Sequence, residues 1–342
     1  MEQIYITEEK QEQVEQKLGV KMEKFYYDDP VGCYREGKEL WRYVSTKNGD
    51  DTNRLSIESI KQVVDEENFR LISTSTDGLG SRIKSWASAL RIDPNLKIFW
   101  HLDHPLKENN FRDLFKNSEM EVPILPPDFD FILYGGGSSF LILPTDDIDD
   151  DFPSLKLQED KIKHNLCLDD QKIIDYEFER IPISIRKEYV NMFSIIKSQV
   201  RDDILIEVDS FSNNFTDKTI SVHVRSGTGF TIQCAGPPES YLFKLDETIK
   251  VMESYSDDYT FFVSTDESVE QGSNDILSTL QEKFGDRILY HERDSSSVRG
   301  ALIDLLLLSK NKIIIGTYLS TFTEVAWWVG GATAKVIFPG WE

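Results

Sequence analysis

Ser221-Val222-His223-Val224-Arg225-Ser226-Gly227-Thr228-Gly229 reads as a β-strand that runs straight into a glycine-containing loop. Side chains alternate across a strand, so Ile220, Val222 and Val224 point to one face and Ser221, His223 and Arg225 to the other. The pattern places an arginine at a strand's carboxyl end, where the crevice of an open α/β sheet takes its ligands. A guanidinium there suits a phosphate, because its fork of donors pairs with two oxygens and it keeps its charge. Ser226, Gly227 and Gly229 are small enough to let backbone amides approach the same anion. The same stretch also fits a buried strand ending in an Arg-Ser-Gly turn with no ligand, so the rest of the chain decides between the two.

Downstream, strands and helices alternate. Beyond the strand Thr219 to Arg225 and the break Gly236-Pro237-Pro238, a helix carries Leu242, Leu245, Ile249 and Met252. The strand Tyr259 to Val263 ends in Ser264-Thr265-Asp266-Glu267, and a helix with Ile276, Leu277, Leu280 and Phe284 closes at Gly285. Arg287 to Tyr290 is the next strand. Val298 to Ser309 is a helix apolar nearly all round, hence buried between layers. Ile313 to Ile315 is a buried strand, Thr321 to Val329 a helix and Lys335 to Phe338 a last strand. Such alternation predicts a parallel sheet with helices on both faces.

Upstream, Pro182 interrupts the chain before a helix bearing Tyr189, Phe193, Ile196 and Val200, which puts a domain boundary near residues 176 to 186. Earlier still, the strand Phe69 to Ser73, a helix with Ile83, Trp86, Ala87 and Leu90 on one face, and the strand Leu96 to Trp100 form a βαβ unit. Gly78 and Gly80 open that helix. They are no dinucleotide fingerprint, since the third glycine falls on Ile83, and no P-loop, since no Gly-Lys-Ser/Thr follows. A glycine turn at a helix amino terminus still faces an anionic or sugar ligand well. Residues 1 to 68 are charge-dense, with Val14, Leu18, Met22 and Phe25 at helical spacing, and are expected to form an extension with a docking helix. The expected division is thus an extension 1–68, an acceptor-side domain 69–180 and a nucleotide-sugar-binding domain 181–342. The run Asp146, Asp147, Asp149, Asp150 and Asp151 reads as a solvated loop rather than a metal site.

At 342 residues the chain is long enough for two α/β domains. Its formal charge is −22, from 38 basic and 60 acidic residues, which argues against nucleic acid or an anionic membrane as a partner. Any phosphate site has to be made locally. No basic start leads into an apolar run and no apolar stretch reaches membrane-spanning length, so a cytoplasmic protein without an integral membrane segment is expected. Cys33, Cys167 and Cys234 are odd in number and far apart, which fits free thiols in a reducing compartment. No Cys/His cluster has zinc spacing. The sequon Asn214-Phe215-Thr216 matters only in a secreted chain.

Two further residues stand out on physical grounds. Asp304 lies inside Leu302-Ile303-Asp304-Leu305-Leu306, where an unpaired carboxylate costs several kcal/mol, so it has a partner: Arg299, a nearby amide or a ligand's donors. Thr321 with Glu324 has the spacing of a capping box, which sets Ser320 and Thr321 at a helix amino terminus, where an anion is favoured.

His223-x-Arg225 after a Val-rich strand, Arg299-Gly300-Ala301-Leu302-Ile303-Asp304, and Gly316-Thr317-Tyr318-Leu319-Ser320-Thr321-Phe322 together resemble the fucosyltransferases that use GDP-fucose. The likeness is to the bacterial nodulation and core α1,6-fucosyltransferase group. It spans roughly residues 70 to 115 and 185 to 340, and its specificity lies in the joint spacing of three weak motifs. Ser320 follows Asp304 by sixteen residues, as in the core pattern. The resemblance implies an α/β, GT-B-like fold, two Rossmann-like domains facing a central cleft, with GDP-fucose as donor substrate, a glycan acceptor and no metal or other cofactor. It implies that Arg225 is catalytic, that Asp304 accepts from the guanine ring, and that Ser320 and Thr321 contact the nucleotide or its phosphates. His223, Ser226, Gly227, Thr265, Asp266, Arg299, Gly300, Thr317 and Phe322 complete the expected donor site, with Gly78 and Gly80 from the first domain. Where the core enzymes carry a second arginine and an aspartate, this chain has Ser226 and Thr228, so the nodulation-type Arg-x-Gly-x-Gly fits better. No acidic residue matches the core enzymes' acceptor base, which leaves Asp77, Asp103, Asp266 and Glu239 as unranked candidates. The expected activity is inverting transfer of L-fucose to a glycan hydroxyl. The alternatives are a transferase for another GDP-sugar and a non-catalytic nucleotide-sugar or glycan-binding protein.

Overall fold

The computed structural model of the chain describes residues 3–18, 23–25, 40–44, 62, 65–66, 70–75, 78–100, 111–122, 131–135, 183–225, 244–265, 276–292, 297–317 and 320–340. The fold is α/β and divides into two compact units, Met1–Gln199 and Val200–Glu342. Each unit is built on its own sheet.

In the first unit, the strands are β1 (Gln3–Thr7), β2 (Glu23–Phe25), β3 (Leu40–Val44), β4 (Arg70–Ser75), β5 (Lys97–Trp100) and β6 (Phe131–Gly135). They form one sheet in the order β2-β3-β1-β6-β4-β5. β4 runs parallel to both β5 and β6, and α2 (Leu79–Ile92) connects β4 to β5, so the expected βαβ unit is present. Ile83, Trp86, Ala87 and Leu90 of α2 are buried, and Trp86 meets Phe115 edge-on at 5.0 Å between centroids. The other half of the sheet is antiparallel: β1 pairs with β6 on one side and β3 on the other.

That pairing corrects the reading of residues 1–68 as an extension, because β1 lies inside the sheet. A helix α1 (Glu8–Leu18) does follow it, with Val14 fully buried. The helical spacing does not continue to Phe25, which belongs to β2. Gly19 directly follows Leu18 in the sequence and is a natural helix stop. The units part after Gln199, later in the chain than the expected 180/181, because α3 (Ile183–Ser198) packs on α2 of the first unit. Its Tyr189, Phe193 and Ile196 are buried as their spacing requires. A helix absent from the sequence reading, α4 (Asp202–Ser212), then opens the second unit, and the pair Asp202/Asp203 at its start is the acidic first turn that a helix dipole favours.

The second unit carries β7 (Thr219–Val224), α5 (Leu245–Glu253), β8 (Thr260–Thr265), α6 (Ile276–Phe284), β9 (Ile288–Tyr290), α7 (Val298–Leu308), β10 (Ile313–Ile315), α8 (Thr321–Val329) and β11 (Lys335–Ile337). Its sheet has the order β11-β10-β7-β8-β9 and every pair is parallel. Gly285, at φ +55, ends α6 in the left-handed conformation that glycine adopts without cost. β7 is the central strand and is buried along its whole length. Ile220, Val222 and Val224 join a core with Met252 of α5, Leu280 of α6 and Phe261 of β8. On the opposite face Ser221 donates to the carbonyl of Leu308 at the end of α7. α7 is covered on one side by this sheet and on others by α4 and α8, which accounts for its apolar circumference.

Candidate functional site

The strand order of the second unit fixes where a ligand can sit. β8 and β9 extend the sheet to one side of β7 and β10 and β11 to the other, so the chain reverses its winding between β7 and β10. In this class of sheet the carboxyl ends of the two strands at such a reversal flank the binding crevice. His223 and Arg225 stand at one lip, and Gly316, Thr317 and Ser320 to Phe322 at the other.

The two lips are joined by one side chain. The hydroxyl of Thr317 donates to the His223 carbonyl at 2.9 Å and accepts the Arg225 amide N–H at 3.2 Å. Thr317 thereby continues the β7–β10 ladder past the last backbone pair, Ile315 with Val222. Gly316 has no room for a side chain: a Cβ there would lie 2.5 Å from Thr323 Cγ2 and 3.1 Å from the Phe338 ring. The first turn of α8 is therefore pressed directly onto the end of β10.

Ser320 is the amino-terminal cap of α8, its hydroxyl accepting the Phe322 amide N–H at 3.3 Å. This moves the cap one residue ahead of the expected Thr321–Glu324 box. Glu324 instead sits buried one turn in, accepting from the Trp328 indole N–H at 3.3 Å. Both Ser320 and Thr321 do stand at the helix start, whose first amides face outward from the helix axis end and carry the positive end of its dipole. His223 is buried beneath them. Its Nδ1 lies 2.8 Å from Thr323 Oγ1, and its ring stacks at 30° on Phe322, 5.0 Å between centroids. Arg225, Thr321 and Phe322 are partly exposed, whereas His223, Thr317 and Ser320 are buried, so a partly open rim lies over a closed floor.

Across β7, His223 is in register with Ser264 and Val224 with Thr265, which is buried at the end of β8. Ser264 Oγ donates to Asp304 Oδ2 at 2.9 Å. Asp304 is 1% exposed, and its other oxygen faces His291, which follows the end of β9, at 3.7 Å from Nδ1. The pairing of Asp304 with Arg299 does not form. Arg299 turns to α4, with Nη1 2.7 Å from Glu207 and Nη2 3.5 Å from Asp203. Gly300 lies in the first turn of α7, its amide N–H capped by Ser297 Oγ at 3.3 Å. Ser264, His291, Glu207 and Thr323 were not singled out from the sequence. His291 and Ser264 carry the same signal that exposed His223, a polar side chain at a strand's carboxyl end.

Ser226, Gly227 and Asp266 lie outside the described residues, as do the base candidates Asp77, Asp103 and Glu239. Gly78 and Gly80 belong to the first unit, where Gly78 precedes α2 with no side-chain cap. Among the described residues no helix is long and apolar enough to cross a membrane.

No protein-family model matches the chain, and no curated protein matches it. Among solved structures, the chain is similar to the fucosyltransferase NodZ from Bradyrhizobium, with 15% identity over 75% of this chain and 92% of that one at a TM-score of 0.38. It is also similar to Arabidopsis thaliana FUT1 in complex with GDP, with 15% identity, 80% and 71% coverage and a TM-score of 0.39. A third likeness is to POFUT1 in complex with GDP, at 13% identity, 79% and 99% coverage and a TM-score of 0.39.

Proposed function

We propose that the second unit binds the donor GDP-fucose and that the chain transfers fucose, with inversion, to a hydroxyl of a glycan. The observation that carries this reading is the Thr317 hydroxyl, which ties the end of β7, at His223 and Arg225, to the end of β10 at the reversal of the sheet. A cation at one lip and a helix amino terminus at the other form a cradle for a diphosphate. The residues that meet there are those on which the resemblance to GDP-fucose enzymes rests.

The acceptor oxygen attacks the anomeric carbon as the bond from that carbon to the β-phosphate oxygen breaks. GDP leaves with the bonding electrons, and the acceptor's proton passes to a base. Negative charge grows on the departing diphosphate, where Arg225 and the first amides of α8 oppose it without having to reorganise. Fixed charges of this kind need no metal, and the reading assigns none. Asp304 accepts from the guanine N–H donors, and His223 holds its place through Thr323 and Phe322.

The test is GDP release from GDP-fucose with a panel of glycan acceptors, for the wild type and Arg225→Ala. The variant is expected to lose about a hundred- to a thousand-fold in rate, the usual cost of removing one such stabiliser. A wild type that binds GDP as the variant does and turns over no acceptor is a binding protein, not a transferase. Turnover of another GDP-sugar in place of GDP-fucose corrects the donor and leaves the site in place.

A further inference from the structure

A chain of charged groups lies behind the crevice and takes no part in the transfer step. Glu207 of α4 places one carboxylate oxygen 2.7 Å from Arg299 Nη1 and the other 3.2 Å from His291 Nε2. On the far side of the same imidazole, Nδ1 lies 3.7 Å from Asp304 Oδ1, while Asp304 Oδ2 accepts from Ser264. An imidazole thus stands between two carboxylates. In its neutral form it has one N–H and one lone pair, so it would turn the lone pair toward one of the two anions; as imidazolium it donates to Glu207 and attracts Asp304 across 3.7 Å, an ion contact longer than a hydrogen bond.

The surroundings of His291 are consistent with the charged form. From α4 it meets Glu207, with Asp203 behind on Arg299, and the edge of the Phe211 ring at 5.2 Å. From α7 it meets Asp304, and Arg299 reaches it only through Glu207. Ser264 of β8 lies beyond Asp304, and the adjacent Glu292 is exposed. Asp304 above all holds the imidazole's pKa above its ordinary value; burial opposes that, and Glu207 adds to it.

We infer that His291 is a positioning residue: as imidazolium it spans Glu207 and Asp304 and holds the Asp304 carboxyl in place as the acceptor for the base of a guanine nucleotide, so nucleotide affinity depends on the protonation of His291. This rests on the nucleotide reading of the crevice. The sign follows from the raised folded-state value. The bridge is complete below the ordinary imidazole pKa and is lost as pH rises through the folded one, so both folding stability and GDP affinity fall on the alkaline side.

The experiment titrates GDP calorimetrically into the full chain between about pH 6 and pH 8.5, spanning the imidazole range, and follows the melting temperature without nucleotide over the same range. GDP affinity is expected to fall by about an order of magnitude across it, the scale of losing one opposite charge beside the acceptor carboxyl. Glu207→Gln, at a side chain 37% exposed, removes one of the two anions and is expected to move both profiles toward acid. Titration of the nucleotide itself is common to both proteins and cancels between them. His291→Gln is expected to bind weakly with the pH dependence lost. A melting temperature that falls with pH while wild-type GDP affinity stays level makes His291 structural only and overturns the inference with the nucleotide reading intact. Profiles unmoved by Glu207→Gln overturn it too. A wild type that binds no GDP at any pH removes the nucleotide reading, and this inference with it.

Discussion

One hydroxyl ties together the carboxyl ends of β7 and β10. Thr317→Val keeps the shape of that side chain but removes both its hydrogen bonds, leaving the buried His223 carbonyl and the Arg225 amide without that partner. A loss of about 1–3 kcal/mol in urea unfolding is expected, the usual net worth of two hydrogen bonds, and with it a fall in GDP release, because Thr317 no longer holds Arg225 at the lip. Unchanged stability and activity would mean that the tether is incidental. At this scale a residue's place is easier to read from sequence than what it touches. His223, Arg225 and Thr317 could be named from their places at strand ends, since alternation and the direction of a parallel strand are local properties. The partner of Asp304 could not. Arg299, a nearby amide and a ligand's donors all fit the sequence, whereas Asp304 faces Ser264 of β8 and His291, just past β9, which only the sheet order brings near. The cap of α8 was misplaced for a milder reason: Ser320 and Thr321 are equally good caps, and only the helix start decides between them.

Among the elements, α8 and β10 carry the heaviest steric constraint. Gly316→Ala would drive a Cβ to 2.5 Å from Thr323, whose hydroxyl also meets His223. The first turn of α8 must then shift, and both stability and GDP affinity are expected to drop, the former by about 1–3 kcal/mol as in other overpacked sites. Ser320→Ala is milder, at about 1 kcal/mol for a lost cap. If Gly316→Ala binds GDP normally, α8 does not shape the nucleotide site. Strands and helices of the second unit were legible because their periods are clean: β7 alternates Ile220, Val222 and Val224 with Ser221 and His223, and the stripe of α6 closes at Gly285. α4 was not, because Val200 continues the spacing of α3 and hides the break at Arg201.

For the whole molecule, the parallel sheet of the second unit followed from alternation, whereas the first unit's sheet did not. β1, β2 and β3 are short, and their antiparallel pairing joins segments far apart in sequence. Runs of three to five residues are too short for a period to declare itself. The division into two units also sets where a nucleotide should act. GDP at saturation is expected to slow amide exchange in β7, β10 and α8 of the second unit, since a ligand that binds only the folded form stabilises what it touches. Slowed exchange in the amides after Gly78 as well would bring α2 into the donor site, as the resemblance implies. Slowed exchange in the first unit alone would put the nucleotide elsewhere.

The most direct measurement is the calorimetric affinity of the full chain for GDP, ADP and UDP, with Arg225→Ala alongside. GDP is predicted to bind best, and the variant to lose about ten- to a hundred-fold, the worth of a charge-assisted contact to phosphate. Equal affinity for all three nucleotides, unchanged in Arg225→Ala, would contradict a guanine nucleotide held by its diphosphate at the lip of β7.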